Sequence, residues 1–542
     1  MKWLLTVPFV VVLSLTVMAF VGLFNFDEAG FDWSVLDDAY FHQIVIFSLG
    51  QGLLSALVSV LLAWPIARSL YFIKSLPLKK TFLSLCILCF VMPTLVLITG
   101  LVALLGRSGW LSPYISQWIF TDWNLYGLSG ILLAHVYLNM PLAVRVFYIQ
   151  LQGIADSSWK LSRQLKLTRW QRLRWIEWPV LKPSIIMLFG FVFILCFNSF
   201  AVVLALGGGP QSTTLEVAIY QSLKYDFNIA EALIFAWAQL LIAGAFFILV
   251  ARLGSPVWLS VDSNDSYWTP AMKGWRKTLL VCIYSAAFAF LLLPVLAIFP
   301  GIMELSWQKL NLQMYLKPAV ITVTLGCIAA GVGVLFAYFL LLPIRHAHVR
   351  KQSKKQVLLE WLATHALLAP TMVVSVGLFV LLLPLVSLDD WGIVMVVVLN
   401  SAIVVPFAVQ KLKPRLLQFD AQYGSLIRSL KLQKIDIWRI EWPFIRPVCL
   451  STFALILVLA MGDVAIFSIF GNSDWKTLPW LIYEFAGSYR LAEASLASLI
   501  LLCLCAACLW LVEWRSFQFA ASSGHRMISE PAQIHEVCIK NA

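Results

Sequence analysis

Apolar runs of roughly twenty residues recur along the whole chain. They centre on 4–23, 44–66, 82–105, 127–147, 184–206 and 232–251, then on 279–299, 319–342, 361–383, 392–410, 448–470 and 492–512. One helix of about 20 apolar residues crosses a ~30 Å hydrocarbon layer, so the pattern predicts an all-α membrane protein with about 12 transmembrane helices. No polar block between the runs is long enough to build a separate globular core. The first run follows Met1-Lys2, yet it is longer than the roughly 7 to 15 apolar residues of a signal peptide and has no clear small-residue cleavage site, so it reads as an uncleaved span. Composition agrees: 61% of the 542 residues are hydrophobic and 12% charged, against about 25% charged in soluble domains. A water-soluble enzyme is excluded.

The net charge of +12 takes its meaning from where the cations fall. With both termini cytoplasmic, six of the 39 Lys and Arg residues lie outside, namely Arg107, Lys224, Lys309, Lys317, Lys476 and Arg490. Positive charge stays on the cytoplasmic side of membrane proteins, so the reversed topology is disfavoured. Acidic residues lean outward, with Asp27, Glu28, Asp32, Asp37 and Asp38 in the first outside loop and Asp389 and Asp390 in a later one. The charge therefore reports orientation in lipid and not a nucleic acid partner.

The two halves of the chain repeat. Pro93-Thr94 followed by Gly100-Leu101 recurs as Pro370-Thr371 followed by Gly377-Leu378, and Pro141-Leu142-Ala143-Val144 as Pro406-Phe407-Ala408-Val409. Leu165-Lys166-Leu167 recurs as Leu430-Lys431-Leu432, and Glu177-Trp178-Pro179 as Glu441-Trp442-Pro443. Thr214-Leu215 with Ile219-Tyr220 recurs as Thr477-Leu478 with Ile482-Tyr483, and Ala230-Glu231-Ala232 as Ala492-Glu493-Ala494. Six matches in one order mark a duplication. Six spans is an even number, so both units enter the membrane the same way and should face each other across an axis along its normal. The expected division is a first unit over 1–260, a polar, turn-rich cytoplasmic linker over 261–278 and a second unit over 279–542.

Each unit carries a long basic loop between its fourth and fifth spans, at 148–183 and 411–447. Orientation explains the charge but not the apolar pattern. Leu161, Leu165, Trp170, Leu173 and Ile176 recur at roughly helical spacing before Pro179 and Pro183, as do Leu426, Leu430, Ile437 and Ile440 before Pro443 and Pro447. Such spacing predicts short amphipathic helices, stopped by proline before the next span. A paired, half-apolar element on one face suits docking of two copies of a soluble motor.

These loops resemble the EAA loop of ABC importer permeases, whose consensus is Glu-Ala-Ala, three residues, Gly, nine residues, Ile, one residue, Leu-Pro. Lys160-Leu161-Ser162 and Ser425-Leu426-Ile427 stand at the Glu-Ala-Ala position and Lys166 and Lys431 at the Gly position. Ile176 and Pro179 close the first motif, and Ile440 and Pro443 close the second one residue early; both loops lack the consensus Glu and Gly. Within that family the fused layout looks like the ferric-ion and thiamine importer permeases, and the closer resemblance is to those for thiamine and its pyrophosphate. The similar stretches include Leu132 to Val136, Leu206 to Gln221, Phe470-Gly471-Asn472 and Gly487 to Arg490.

The resemblance implies a type I ABC importer permease in the bacterial inner membrane that moves thiamine and its phosphates, with ferric ion as the alternative cargo. It implies two copies of a separate ABC ATPase subunit and a periplasmic thiamine-binding protein meeting the outside stretches. The ATPase-docking residues would be Lys160, Leu161, Ser162, Leu165, Lys166, Ile176 and Pro179 in the first loop and Ser425, Leu426, Leu430, Lys431, Ile440 and Pro443 in the second.

The chain has no Gly-x-x-x-x-Gly-Lys-Ser/Thr phosphate loop, so ATP and Mg belong to the partner and no cofactor is expected here. Gly207-Gly208-Gly209 has no strand before it and reads as a loop or a binding-protein contact, not as a phosphate cradle. Nine of the ten cysteines sit in or beside apolar runs and Cys538 lies in the tail; they read as packing residues, not as a metal site. His135 in the fourth span is either a satisfied structural histidine or a proton or substrate contact. Asp463 is costly inside a span and is either a pathway charge or a structural partner. The repeat sets Asn198-Ser199 against Gly462-Asp463, giving Asp463, Asn198 and Ser199 as substrate-pathway candidates. A 12-helix secondary transporter is the reading from another class, and it leaves the paired loops unexplained.

Overall fold

The computed structural model of the chain describes residues 7–24, 33–107, 109–118, 124–251, 268–270, 272, 274–303, 305, 311–364, 370–385, 387–430 and 432–529. The termini, much of the expected linker, and Lys431 lie outside the described residues. Among those described, every regular element is helical.

The first half runs α1 (Val7–Phe24), α2 (Ala39–Phe72), α3 (Lys79–Val91), α4 (Thr94–Leu105), α5 (Leu128–Gln152), α6 (Asp156–Gln164), α7 (Arg169–Phe197), α8 (Phe200–Leu206), α9 (Leu215–Lys224) and α10 (Ile229–Ala251). The second runs α11 (Trp275–Leu296), α12 (Gln313–Val349), α13 (Ser353–Thr364), α14 (Thr371–Leu382), α15 (Leu388–Ser429), α16 (Lys434–Met461), α17 (Ala465–Phe470), α18 (Leu478–Gly487) and α19 (Leu491–Ser529). Among the described residues, nine helices are long and apolar enough to span a membrane, ten if α3 and α4, bent against each other, are counted together as one span. Two shorter apolar helices, Pro8–Leu23 and Thr371–Leu382, occupy the remaining expected positions.

Three expectations about helix ends are corrected. The run 82–105 is not one straight helix, because α3 and α4 meet at 109° where Pro93, which has no N–H to give, stands just before α4. Nor do the runs 184–206 and 448–470 form single spans. Helix α7 ends at Phe197 and α16 at Met461, and short helices α8 and α17 follow after breaks at Asn198-Ser199 and at Gly462-Asp463-Val464. Finally, Pro179, Pro183, Pro443 and Pro447 do not stop the docking helices but lie inside α7 and α16. In α7 a π turn at Leu173–Glu177 precedes Pro179, the Trp178 N–H reaching back five residues to Leu173. That register change makes room for the ring.

The halves differ where the sequence differs. Helix α5 ends at Gly153 before α6 begins, whereas α15 runs unbroken through the equivalent stretch, where Gln418 replaces that glycine. Glycine weakens a helix interior by roughly 1 kcal/mol relative to alanine, which favours a break at Gly153.

The halves also interlock. The first helix of each unit packs on the other unit, α1 on α14 and α11 on α4. The repeated glycines make this possible: a Cβ at Gly377 would strike the Ala19 carbonyl of α1, and one at Gly100 would strike the Pro294 carbonyl of α11. Buried hydrogen bonds cross between the halves, from Ser498 to Thr99 at 3.0 Å and from the Tyr137 hydroxyl to the Leu291 carbonyl at 2.6 Å.

Candidate functional site

Helix α6 ends in a tight turn. The Leu167 N–H bonds the Ser162 carbonyl at 3.0 Å and the Lys166 N–H bonds the Arg163 carbonyl at 3.1 Å, with Lys166 left-handed at φ 49°. This paired pattern closes a helix over a residue that is usually glycine, which gives a physical reason for the consensus Gly at that place. In the second half the Leu432 N–H meets the Ile427 carbonyl at 3.3 Å, the counterpart of the Leu167–Ser162 bond.

Around both turns apolar side chains face outward. Leu161 is 53% exposed, Leu165 61%, Leu426 51%, Leu430 59% and Ile440 41%. Trp170 and Trp175 join them at 71% and 65%. Lys160, Lys166, Ser425, Pro179 and Pro443 are exposed as well, and Ile176 is half-buried. Ser162 departs from expectation: it is buried beneath α6, donating to the Trp159 carbonyl at 2.7 Å. Beside it, buried Trp159 donates its indole N–H to the Tyr71 hydroxyl at 2.9 Å and pins α6 to the end of α2.

Sequence reasoning missed what lies behind these turns. Arg68 on α2 meets Glu177 on α7 at 2.9 Å, and in the second half Arg345 on α12 makes the matching contact with Glu441 on α16 at 2.7 Å. Arg345 also grips Asp420 on α15 with two hydrogen bonds of 2.6 and 2.8 Å. Asp420 occupies the repeat position of Ala155, so the second half ties three helices where the first ties two. A signal was available: Glu-Trp-Pro occurs in both halves, and Pro65-Ile66 and Pro343-Ile344 precede the two arginines.

Deeper in the bundle, the breaks after α7 and α16 carry a polar layer. A Cβ on Gly462 would lie 3.3 Å from Pro93, so the α16 break of one half abuts the α3–α4 bend of the other. Asp463 accepts the Ile466 N–H at 3.2 Å, capping α17, and lines a small cavity with Thr322, Asn400 and Thr477. Asn198 is drawn elsewhere, accepting from Gln239 at 3.4 Å, while Gln239 also donates to Glu216 at 2.7 Å. Ser199 stands at the start of α8 without capping it through its side chain.

Glu216 is a further carboxylate that sequence reasoning missed, fully enclosed and close enough to Asp463 to feel its charge. Its segment, within the stretch expected to face a binding protein, is a largely buried helix. The backbone N–H of Leu215 opens α9 on the Ser48 hydroxyl at 3.0 Å, and that of Leu478 opens α18 on the Thr322 hydroxyl at 2.8 Å. His135 sits with Nδ1 3.0 Å from the Ser55 hydroxyl. Among the described residues, no three or more His, Cys, Asp or Glu side chains come together as a metal would require.

Residues 59–257 match the family described as binding-protein-dependent transport system inner membrane component. The thiamine transport system permease protein of Brucella abortus is 34% identical over 493 residues, covering 89% of each chain. Its counterpart from Escherichia coli is 32% identical over 515 residues, 91% of this chain and 92% of that one. The ferric transport system permease protein of Actinobacillus pleuropneumoniae is 26% identical over 422 residues, 72% of this chain and 59% of that one.

Proposed function

The chain belongs to the binding-protein-dependent transport permeases, and from that premise we propose that it is the membrane-spanning subunit of an ATP-driven importer for thiamine and its phosphates. The observation that carries the motor-driven reading is the pair of exposed apolar turns at matching places in the two halves, with the ion pairs Arg68–Glu177 and Arg345–Glu441 behind them. Thiamine is favoured over ferric ion by the higher identity and fuller coverage of the thiamine permeases.

On this reading, one copy of a separate ABC ATPase seats on each turn and carries the ATP and Mg, while a periplasmic binding protein delivers cargo to the opposite face. Both termini are cytoplasmic, and the units divide at 1–260 and 279–542 with 261–278 linking them. Closure of the two ATPases draws the turns together. The buried ion pairs pass that displacement to α2 and α12, because separating a desolvated pair is costly. The bundle yields where its helices are already interrupted, at Pro93, Asn198-Ser199 and Gly462-Asp463, close to Asp463 and Glu216. A carboxylate within ~4 Å of the fixed positive charge of thiamine contributes about 4 kcal/mol at an effective dielectric near 20, part of it cancelled by desolvation.

The test is uptake of radiolabelled thiamine into proteoliposomes holding the permease with its ATPase and binding protein. Uptake that needs internal ATP supports the proposal. ATP-dependent accumulation of ferric ion with no thiamine uptake would replace it with the second reading.

A further inference from the structure

On the face opposite the docking turns, a cavity of about 390 Å³ opens between the halves, within the size range of small-molecule sites. Tyr220 of α9 and its repeat equivalent Tyr483 of α18 both line it. Trp480 stands beside Tyr483, ring centroids 5.3 Å apart, and packs on Phe467 at 5.5 Å. Phe467 also lines the cavity that holds Asp463, so the two spaces share a wall.

Charge is concentrated where the membrane orientation makes it scarce. Lys224 and Lys476 are two of the six cations assigned to the outside, and both line this one cavity. They come from different halves. Lys224 is partly buried and donates to the Ile469 carbonyl of the other half at 3.0 Å. Burial holds its ammonium below the ordinary lysine pKa, so an anion placed beside it is stabilised in return. Lys476 pairs with Glu484 at 2.7 Å, an exposed carboxylate that a stronger anion can displace. Two ammonium groups against one carboxylate leave the cavity net positive, which repels a bare organic cation.

Resting on the importer reading above, we propose that this vestibule is a receiving site selective for the phosphate ester. Tyr220, Trp480 and Tyr483 hold the flat heteroaromatic cation against their rings, and Lys224 and Lys476 take its phosphate as charge-assisted donors.

The experiment measures kcat/KM for thiamine monophosphate and for thiamine in the reconstituted complex and reports their ratio. Replacing one charged donor should lower that ratio about tenfold in Lys476→Gln and in Lys224→Gln, while Lys476→Arg keeps it near wild type. A ratio unchanged in both Gln variants would overturn the site. So would an equal loss for both substrates with weakened association of the binding protein, which would assign the lysines to protein docking. Wild-type complex that imports neither compound would instead sink the importer reading, which separates the two failures.

Discussion

Asp463, Arg68 and Arg345 are the residues whose chemistry decides most. Asp463 caps α17 through one carboxylate oxygen, a role asparagine can fill, so Asp463→Asn isolates the charge. The variant is expected to assemble with the ATPase, keep ATPase activity at least in part and lose most thiamine uptake; wild-type uptake would leave the residue a structural cap. The arginines differ in environment, with Arg68 27% exposed at the side chain and Arg345 10%. Arg345→Met strands two carboxylates and Arg68→Met only one. Leaving a buried charge unpaired costs about 3–5 kcal/mol, so thermal unfolding of the purified chain should drop more for Arg345→Met than for Arg68→Met, and equal drops would contradict this account. Asp463 was legible in the sequence because a carboxylate inside a long apolar run stands out. Glu216 was not, since its helix is short and lies between spans, where a charge looks like ordinary loop. Only the fold reveals that Leu215–Leu223 is packed inside.

At the scale of elements, the apolar runs located the helices but not their breaks or lengths. Proline was read as a terminator, yet α7 and α16 continue through two prolines each, as helices within membranes do when neighbours satisfy the freed carbonyls. The docking turns were legible through their repeat, and the consensus glycine position was marked by Lys166 even though lysine stands there. Their exposed leucines make a direct prediction. Aspartate at Leu165 or Leu430 puts a charge on a face meant to be covered, which costs several kcal/mol unless it is paired. Each variant is expected to insert normally but to copurify with less ATPase and to lose ATP-driven uptake. Normal copurification and uptake in both would mean that these turns are only solvated loops.

For the whole molecule, the duplication was readable from six ordered matches, whereas the interlocking of the halves was not. Nothing in the spacing of Gly100 and Gly377 says that each admits the first helix of the other unit; that is a property of the assembled bundle. The asymmetry around Asp420 likewise needs both halves in view. Because one chain supplies both docking turns, it should need no second copy of itself. Native mass measurement of the intact complex tests this central claim most directly. The account predicts one permease chain with two ATPase subunits, and two permease chains with one ATPase pair would contradict it.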